Sequence, residues 1–408
     1  MLRSTALVLL ALGTSSCLAH AHGHAADESN AWLNKFGPLP DLSFSGITTF
    51  ARLPHHKCLE DRSKDFDIAV LGAPFDSAVS YRTGARFGPF AIRSGSRRHA
   101  PSRGYSIPWA QNPFRQGGTI VDCGDIPISP YDNVLALDQI ETAYSTLLAR
   151  PVASEWAKEQ GGMSKIALDG KEHPRIITLG GDHTVLLPIL RSLNKVYGEV
   201  SVIHFDAHID SWNGNTYVGA STEQSKITHG SFFWKAGEEG LISNTSSIHA
   251  GIRTRLSDEE DLAYDEQVGF KLLTTEDIDD MGAAGIAKAI RDRVGDRPCY
   301  LSFDIDTIDP SMAPATGTPE PGGYTTREVK KILRGLSGLN LVGLDVVEVS
   351  PAYDTNAELT GMVAADLVQE FLNLMIKKGD RVPAVAGMKL NLGQGEAGNG
   401  EEAAHDEL

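Results

Sequence analysis

Eight short apolar runs, each about as long as a β-strand, constrain the fold of this chain more than any other feature of its sequence. Most of the runs are continuous rather than alternating, which is typical of strands buried on both faces of a sheet. Helical patterns lie between several of them, and this order predicts a mostly parallel sheet covered by helices on both faces. The predicted strands are 68–74, 119–125, 175–180, 200–210, 247–252, 270–274, 299–306 and 341–349. The predicted helices are 133–149, 184–197, 286–294, 325–336 and 365–378.

The pattern of strands and helices indicates one domain, residues 66–378, within a chain of 408 residues. Residues 22–65 lack clear periodicity and are expected to form an N-terminal arm, and residues near 151–174 are expected to form a surface insertion. The tail 379–408 is rich in Gly, Ala and acidic residues. We expect this tail to be flexible and to leave the last residues accessible.

Two helix starts carry the Ser/Thr-x-x-Glu pattern of a capping box, in which the side chains of the first and last residues each bind a backbone N–H of the other. One pairs Ser257 with Glu260, and the other pairs Thr325 with Glu328. We therefore expect helices to begin at both places.

The two ends of the chain resemble sorting signals. Arg3 precedes the apolar run 7–12, and small residues follow up to Ala21, which is the layout of a secretory signal peptide over residues 1–21. The last four residues are His-Asp-Glu-Leu, a retrieval signal that a receptor reads in the endoplasmic reticulum. We therefore expect a protein of the lumen of the endoplasmic reticulum that binds the HDEL receptor. The apolar run is shorter than the roughly 20 residues that cross a bilayer, so no membrane span is expected.

Cysteines and one sequon bear on this compartment. Cys17 would leave with the signal peptide, so that Cys58, Cys123 and Cys299 remain and allow at most one internal disulfide. Cys299 opens an apolar run and is expected to be buried and unpaired, whereas pairing of the other two stays open. The sequon that begins at Asn244 would accept a glycan in this compartment if it lies on a surface turn.

The charge balance excludes some classes of partner. The chain has 37 Lys and Arg residues against 53 Asp and Glu residues, a formal net charge of −16. Binding to a phosphate backbone needs clustered cations, so a nucleic-acid partner is not expected. A cationic small ligand or metal ions fit this charge better.

Acidic residues and histidines follow or end three of the predicted strands. Side chains at positions i, i+2 and i+4 of a strand point the same way, so such residues within one strand should share a face. Two glycines after the third strand allow a sharp turn that brings a histidine to the sheet edge. Ligands of open α/β sheets bind at the carboxyl ends of the strands, where these residues should meet. The residues are His183, Asp206, His208, Asp210, Asp304 and Asp306.

Four of these six groups are carboxylates, which would repel one another in one crevice unless cations neutralised them. Two divalent ions balance the formal charge, since 4 × (−1) + 2 × (+2) = 0. Oxygen and nitrogen ligands without thiolate favour Mn²⁺ over a structural zinc. Any one cluster could equally be a polar strand end or a helix N-cap, but the three together predict a site for two metal ions.

These motifs resemble those of the ureohydrolases, which include arginase, agmatinase and guanidino-acid hydrolases. The resemblance covers about residues 65–375 and rests on Gly-Gly-Asp-His ending at His183, on 206–210 and on 302–310. Segments 81–89 and 313–323 are more similar to the agmatinase branch. The resemblance implies a three-layer α/β/α fold with an eight-stranded, mostly parallel sheet, two Mn²⁺ ions per chain and a homo-oligomer, a trimer or hexamer.

The resemblance also implies a role for each site residue. His229 matches a proton-shuttling histidine, Glu348 matches a carboxylate that binds the guanidinium group, and Asp210 would accept a hydrogen bond from the attacking water. The implied reaction is hydrolysis of a guanidino compound, with agmatine as the first candidate, to urea and a primary amine, putrescine. One metal would be held by His183, Asp206, Asp210 and Asp304, and the other by Asp206, His208, Asp304 and Asp306.

The choice of substrate stays open at the level of sequence. The loop 211–228 should line the pocket mouth, where Glu223 could receive the ammonium of agmatine or Lys226 the carboxylate of a guanidino acid. The alternatives are therefore a guanidino-acid hydrolase such as 4-guanidinobutyrase, or a non-catalytic luminal protein that binds metal or polyamines. The presence of both His229 and Glu348 argues against the second. A single-zinc deacetylase on a related fold would not need His183 and Asp306.

Overall fold

The computed structural model describes residues 28–39, 41–154 and 167–376. The predicted signal peptide, the middle of the predicted insertion and the tail with its HDEL sequence lie outside these residues. The chain divides into two compact units, Met1–Gly46 and Ile47–Leu408. In the first unit, helix α1 (Ala31–Phe36) brings the rings of Trp32 and Phe36 to 4.7 Å between centroids.

The second unit contains one sheet of eight strands, and all of its neighbouring strands are parallel. The strands are β1 Ile68–Ala73, β2 Ile120–Asp125, β3 Arg175–Gly180, β4 Ser201–Phe205, β5 Ser247–Ile252, β6 Phe270–Thr274, β7 Pro298–Asp304 and β8 Asn340–Val347. Their order across the sheet is β2-β1-β3-β8-β7-β4-β5-β6. The prediction of eight mostly parallel strands is confirmed, and the four strands β3, β8, β7 and β4 lie side by side at the centre.

Helices cover both faces of this sheet, which confirms the three-layer α/β/α fold. The helices among the described residues of the second unit are α2 Gly88–Gly95, α3 Asn133–Leu148, α4 Leu186–Tyr197, α5 Phe232–Glu238, α6 Glu259–Val268, α7 Asp277–Val294, α8 Thr326–Gly335 and α9 Leu359–Ile376. Helices α2, α7, α8 and α9 share one apolar core with the sheet, and α3, α4 and α5 share the other. Ile176 and Ile177, neighbours on β3, belong to different cores because successive strand residues point to opposite faces.

Strand β4 ends at Phe205, five residues before the predicted end at residue 210. The prediction that Asp206, His208 and Asp210 share one face of a strand is therefore wrong, because these residues lie in the loop that follows. Their side chains still approach one another in the loop, as shown below. Asp306 likewise lies in a short 3-10 helix, Ile305–Thr307, beyond β7.

One of the two predicted capping boxes is present. Thr325 caps α8 and pairs with Glu328 in both directions. The box at Ser257 is wrong, because the residue that caps α6 is Asp258, whose carboxylate accepts the backbone N–H of Glu260 at 2.8 Å. The backbone N–H of Ser257 instead donates to Asp261.

Cys58, before β1, and Cys123, in β2, form a disulfide with 5.3 Å between their Cα atoms. The sequence left this pairing open. The bond closes a span of 65 residues and ties the segment before the sheet to an edge strand. Cys299 is buried and unpaired, as predicted, and burial raises the pKa of its thiol.

Among the described helices, only α9 has the length and apolar composition of a membrane span. However, 72% of this helix is buried inside the fold. It packs against α2 and α8, and its residues belong to the apolar core on that face of the sheet. Helix α9 is therefore a core helix of the second unit.

Candidate metal centre

The site is built at the carboxyl ends of the four central strands. Asp182 and His183 follow β3, Glu348 follows β8, Asp304 ends β7 and Asp206 follows β4. Because these strands are parallel and adjacent, their ends bring side chains from distant parts of the chain to one edge of the sheet.

The turn after β3 shows why this part of the chain needs glycine. A Cβ atom on Gly181 would lie 1.8 Å from the carbonyl oxygen of Phe75, so no larger residue fits. After this turn the carboxylate of Asp182 accepts the backbone N–H of Thr184 at 2.9 Å and begins the short helix that carries His183. The side chain of His183 is thereby fixed at the sheet edge.

The first group of potential ligands surrounds His183. Its Nδ1 atom lies 3.1 Å from Asp206 Oδ2, 3.0 Å from Asp210 Oδ2 and 3.4 Å from Asp304 Oδ2. His204 adds its Nε2 atom, 3.0 Å from Asp206 Oδ2. Four of these residues, His183, His204, Asp206 and Asp210, offer ligand atoms within 4.8 Å of one another.

The second group contains Asp206, His208 and Asp306. His208 Nδ1 lies 3.0 Å from Asp306 Oδ2 and 3.2 Å from Asp206 Oδ1. Asp206 belongs to both groups and presents a different oxygen to each. Asp206 would therefore offer one ligand atom to each of two ions.

The residues present fit metal ions. His183 Nδ1, His204 Nε2 and Asp206 Oδ2 are buried and make no hydrogen bond of acceptable geometry, although they lie about hydrogen-bond distance apart. Buried polar atoms without partners are costly, and atoms that converge on a common point without bonding each other are arranged as ligands. The cluster of His and Asp side chains is thus a metal-binding centre, as the sequence motifs predicted.

Charge crowding is visible in the pKa values of the carboxyl groups. Burial, and then the neighbouring Asp206, raise the pKa of Asp210 to about 6. Burial, and then Asp306 and Asp206, raise the pKa of Asp304 well above its usual value. Asp206 differs, because although burial alone would raise its pKa, His204, His183 and His208 hold that pKa well below its usual value. Cations would reverse the preference of Asp210 and Asp304 for the neutral form.

His204 was missed by the sequence analysis. The sequence did contain a signal for it, because His204 is a histidine within the apolar strand β4 and stands two residues before the ligand Asp206. Its Nδ1 atom lies 2.7 Å from Nδ1 of His249, and His249 Nε2 lies 3.0 Å from Asp265 Oδ1. This buried chain of side chains fixes the orientation of the His204 ring, so that its Nε2 atom faces the metal centre.

His229 and Glu348 lie together beside the metal centre. His229 Nδ1 is 3.1 Å from Glu348 Oε1, which also accepts the backbone N–H of His183 at 2.9 Å. Although burial alone would lower it, the hydrogen bond to Glu348 and the charge of that residue raise the pKa of His229 to about 9. Ser80 opposes this effect, because its backbone N–H, 3.0 Å from His229 Nε2, can donate only while that nitrogen carries no proton. The other carboxylate oxygen of Glu348 is buried and makes no hydrogen bond.

Two site residues have a backbone conformation that side chains rarely adopt. The φ angle is +52° at Asp210 and +60° at Glu348. Positive φ at residues other than glycine is costly and is found preferentially at functional sites. The peptide of Glu348 is held in place because its N–H donates to the carbonyl oxygen of Gly181 at 2.8 Å.

A cavity of about 410 Å³ opens at the metal centre beside His208, Asp210, Asp304 and His229. The loop 211–228 contributes to its wall, as predicted, but Glu223 and Lys226 do not. They form an ion pair of 2.6 Å with each other, and the side chain of Glu223 is 85% exposed. The prediction that one of them meets the substrate is therefore not supported by the structure. The described residues that line the cavity are Ser80, His208, Asp210, Trp212, Thr216, Tyr217, His229, Gly230, Arg255, Ser257, Asp261, Asp304 and Thr318.

A His/Asp cluster at the carboxyl edge of a parallel sheet, beside a cavity, is the arrangement of a metal-binding site in an α/β enzyme. Comparison with known proteins narrows the class. The family model described as the arginase family matches residues 66–373, and the chain belongs to this family. It is an enzyme of the ureohydrolase type.

Individual relatives are similar to the chain over most of its length. A Schizosaccharomyces pombe protein named "Putative agmatinase 1" is 50% identical over 383 residues, which cover 92% of this chain and 96% of the relative. The guanidinobutyrase of Pseudomonas aeruginosa is 36% identical over 81% of this chain and 92% of its own length. Among solved structures, the proclavaminate amidino hydrolase from Streptomyces clavuligerus matches with a TM-score of 0.69 and 34% identity, over 82% of this chain and 98% of that one.

Proposed function

We propose that this enzyme hydrolyses agmatine to urea and putrescine with two Mn²⁺ ions. The observation that carries the proposal is the unpaired, buried carboxylate oxygen of Glu348 beside a buried His/Asp metal centre. A guanidinium group has several N–H donors in one plane and matches a carboxylate in this position. The names of the relatives support a guanidino substrate, since they include an agmatinase and a guanidinobutyrase.

The two groups of atoms and the sequence motifs together support a ligand set. His183, Asp206, Asp210 and Asp304 would hold one ion, beside which His204 Nε2 lies 3.0 Å from Asp206 Oδ2. Asp206, His208 and Asp306 would hold the other ion, to which the resemblance to the family adds Asp304. Oxygen and imidazole ligands without thiolate are the set that Mn²⁺ accepts. When bound, the two ions supply the Lewis acidity that activates water for attack on the guanidinium carbon.

The protein side chains then perform the remaining tasks. Glu348 pairs with the substrate cation and orients its central carbon toward the metal centre. Asp210 accepts a hydrogen bond from the attacking water and takes up its proton. His229 donates a proton to the departing amine, for which its Nε2 atom must leave the N–H of Ser80. A guanidinium on Glu348 Oε2 would also share the negative charge of that carboxylate, which weakens the contact of Oε1 with His229.

The substrate is tested by measuring urea release from agmatine, 4-guanidinobutyrate and arginine with the Mn²⁺-loaded protein. We expect kcat/KM to be highest for agmatine. The variant Asp306→Asn is the control, because it should retain the fold and lose most of the activity through the second metal position. If this variant released urea as fast as wild type, the activity would come from a contaminant or another site, and the proposal would be contradicted.

The guanidinobutyrase of Pseudomonas aeruginosa supports a second candidate substrate, 4-guanidinobutyrate. Its guanidinium end would bind Glu348 in the same way, and only the distal end of the molecule differs in charge. A higher kcat/KM for this compound than for agmatine would establish the second candidate in place of the first.

We also propose that the protein resides in the lumen of the endoplasmic reticulum. Beyond the sorting signals in the sequence, two structural features support this. Cys58 and Cys123 are paired, and disulfides persist mainly in oxidising compartments. Asn244, the acceptor of the sequon, is exposed on a turn before β5.

Expression in eukaryotic cells tests this proposal. The wild-type protein should be retained in the cells and should shift in mass after treatment with endoglycosidase H, and Asn244→Gln should abolish the shift. Deletion of the last four residues should send the protein into the medium. A cytosolic protein that retains Met1 would contradict the proposal.

A further inference from the structure

A linear guanidino substrate has a second end group, which would lie at the mouth of the cavity when the guanidinium group is at the metal centre. The metal-side wall contains Asp210 and Asp304, which the ions would neutralise. Apart from His208 and His229, the charged side chains that remain among the described residues of the lining are Asp261 and Arg255. One would attract an ammonium group and the other a carboxylate.

Asp261 is held in a fixed orientation with one oxygen left over. Its Oδ2 atom accepts the backbone N–H of Ser257 at 2.8 Å and the indole N–H of Trp212 at 3.2 Å. Both bonds go to the same oxygen, and the structure shows no hydrogen bond or ion pair to Oδ1 from a described residue. A pre-oriented carboxylate with a free oxygen is suited to bind a cation in the cavity.

Arg255 is the cation of the same lining, but it is exposed and makes no hydrogen bond or ion pair with another described residue. Asp261, in contrast, is fixed by its bonds from Ser257 and Trp212. Asp261 is therefore the pre-oriented charge of the two.

The aromatic residues next to Asp261 favour the same ligand. Trp212 donates to Asp261, and both Trp212 and Tyr217 pack on Gly230, where an added Cβ would lie 2.3 Å from the Tyr217 hydroxyl. Both rings line the cavity together with Asp261 and His229. An aromatic wall beside a carboxylate suits an alkyl chain that ends in an ammonium group, because the rings pack on the methylenes and attract the cation.

We propose that Asp261 is the residue that selects the distal ammonium group of an ω-guanidino alkylamine and thereby disfavours guanidino acids. This inference rests on the proposed function, since it assumes that the guanidinium end binds at Glu348. It replaces Glu223, the residue that the sequence suggested, with one that the fold brings to the cavity from α6.

The test compares three substrates of similar length in wild type and Asp261→Asn. They are agmatine, butylguanidine, which lacks the distal charge, and 4-guanidinobutyrate. Asparagine keeps the size of the side chain and an oxygen that can accept from Ser257 and Trp212. We expect kcat/KM for agmatine to fall about 10- to 100-fold, mainly through KM, while butylguanidine changes less than about threefold, as for loss of one charged hydrogen bond.

Two further variants serve as comparisons. Glu223→Gln removes an exposed carboxylate of the neighbouring loop and should leave the kinetics of all three substrates unchanged. Arg255→Gln should retain the preference for agmatine over 4-guanidinobutyrate. An equal loss for agmatine and butylguanidine in Asp261→Asn would show a merely structural role and overturn the inference.

The outcomes also separate this inference from the proposed function. If the wild type releases urea from none of the three compounds, the proposed function fails. If it hydrolyses them and Asp261→Asn leaves the ratio of agmatine to butylguanidine unchanged, only the inference fails. A wild type that prefers 4-guanidinobutyrate, with that preference lost in Arg255→Gln, would assign the selection to Arg255 and overturn the role of Asp261.

Discussion

At the scale of single residues, the site combines groups that the fold holds in costly states. Glu348 and Asp210 have positive φ angles, and the carboxyl groups around Asp206 are crowded and buried. Such costs persist only where the surrounding structure compensates for them. We therefore expect substitution at Glu348 to change the stability of the protein, and pH to change its affinity for metal ions.

The backbone strain at Glu348 predicts a difference between two variants that both remove the carboxylate. A residue other than glycine in the left-handed region costs about 1 kcal/mol or more, which glycine avoids. Glu348→Gly should therefore be more stable than Glu348→Ala by about 1 kcal/mol, and both should lose urea release. Thermal unfolding of the two purified variants measures this. An alanine variant as stable as the glycine variant would show that the peptide relaxes and that no strain is stored.

The raised pKa of Asp210 predicts how Mn²⁺ affinity depends on pH. In the metal-free protein this carboxyl group holds a proton below about pH 6, and a metal ion must displace that proton in order to bind. Affinity should therefore fall as pH decreases through 6, by at least about tenfold between pH 7 and pH 5. Calorimetric titration of the stripped protein at several pH values checks this, with Asp210→Asn as the comparison. A dissociation constant that is independent of pH would contradict the account.

At the scale of elements, the strand order explains why distant motifs meet. Strands β3, β8, β7 and β4 are neighbours, so their carboxyl ends lie in one row although they are far apart in the chain. The segment before β1 is attached to this frame by the Cys58–Cys123 disulfide at the β2 edge, away from the four central strands.

Removal of this disulfide should reduce stability and leave catalysis intact. The two cysteines are 65 residues apart in the sequence. A disulfide that closes a loop of this size typically adds about 2 to 4 kcal/mol to the free energy of unfolding. The variants Cys58→Ala, Cys123→Ala and the double variant should unfold at similarly lowered temperatures, because each loses the same bond. Their kcat values should equal that of wild type. A double variant much less stable than either single variant would show that the cysteines act through packing rather than through the bond.

The sequence predicted the elements better than their ends. Continuous apolar runs identified all eight strands, since burial on both faces leaves a strong signal. The end of β4 was placed too late, because the ligands Asp206 to Asp210 continue the alternating pattern after the backbone has left the sheet. The cap at Asp258 was missed because Ser257 fits the same motif one residue earlier.

At the scale of the whole molecule, most of the metal ligands and the loop at the pocket mouth were visible in the sequence, whereas Asp261 was not. Each ligand lies in a short motif beside a strand, whereas Asp261 lies on α6, and only the folded chain brings it next to Trp212. No local pattern distinguishes it from the other acidic residues of that helix. Glu223, which is closer in sequence to the ligands, points to solvent and pairs with Lys226.

The central claim is that the His/Asp cluster is a two-metal centre that hydrolyses a guanidino compound. The most direct test is to titrate the chelator-stripped protein with Mn²⁺ and to measure bound metal and urea release from agmatine on the same samples. The account predicts that activity is absent in the stripped protein and rises to a plateau at about two ions per chain. Urea release that survives complete removal of metal, or full activity with a single tetrahedral zinc ion, would contradict it.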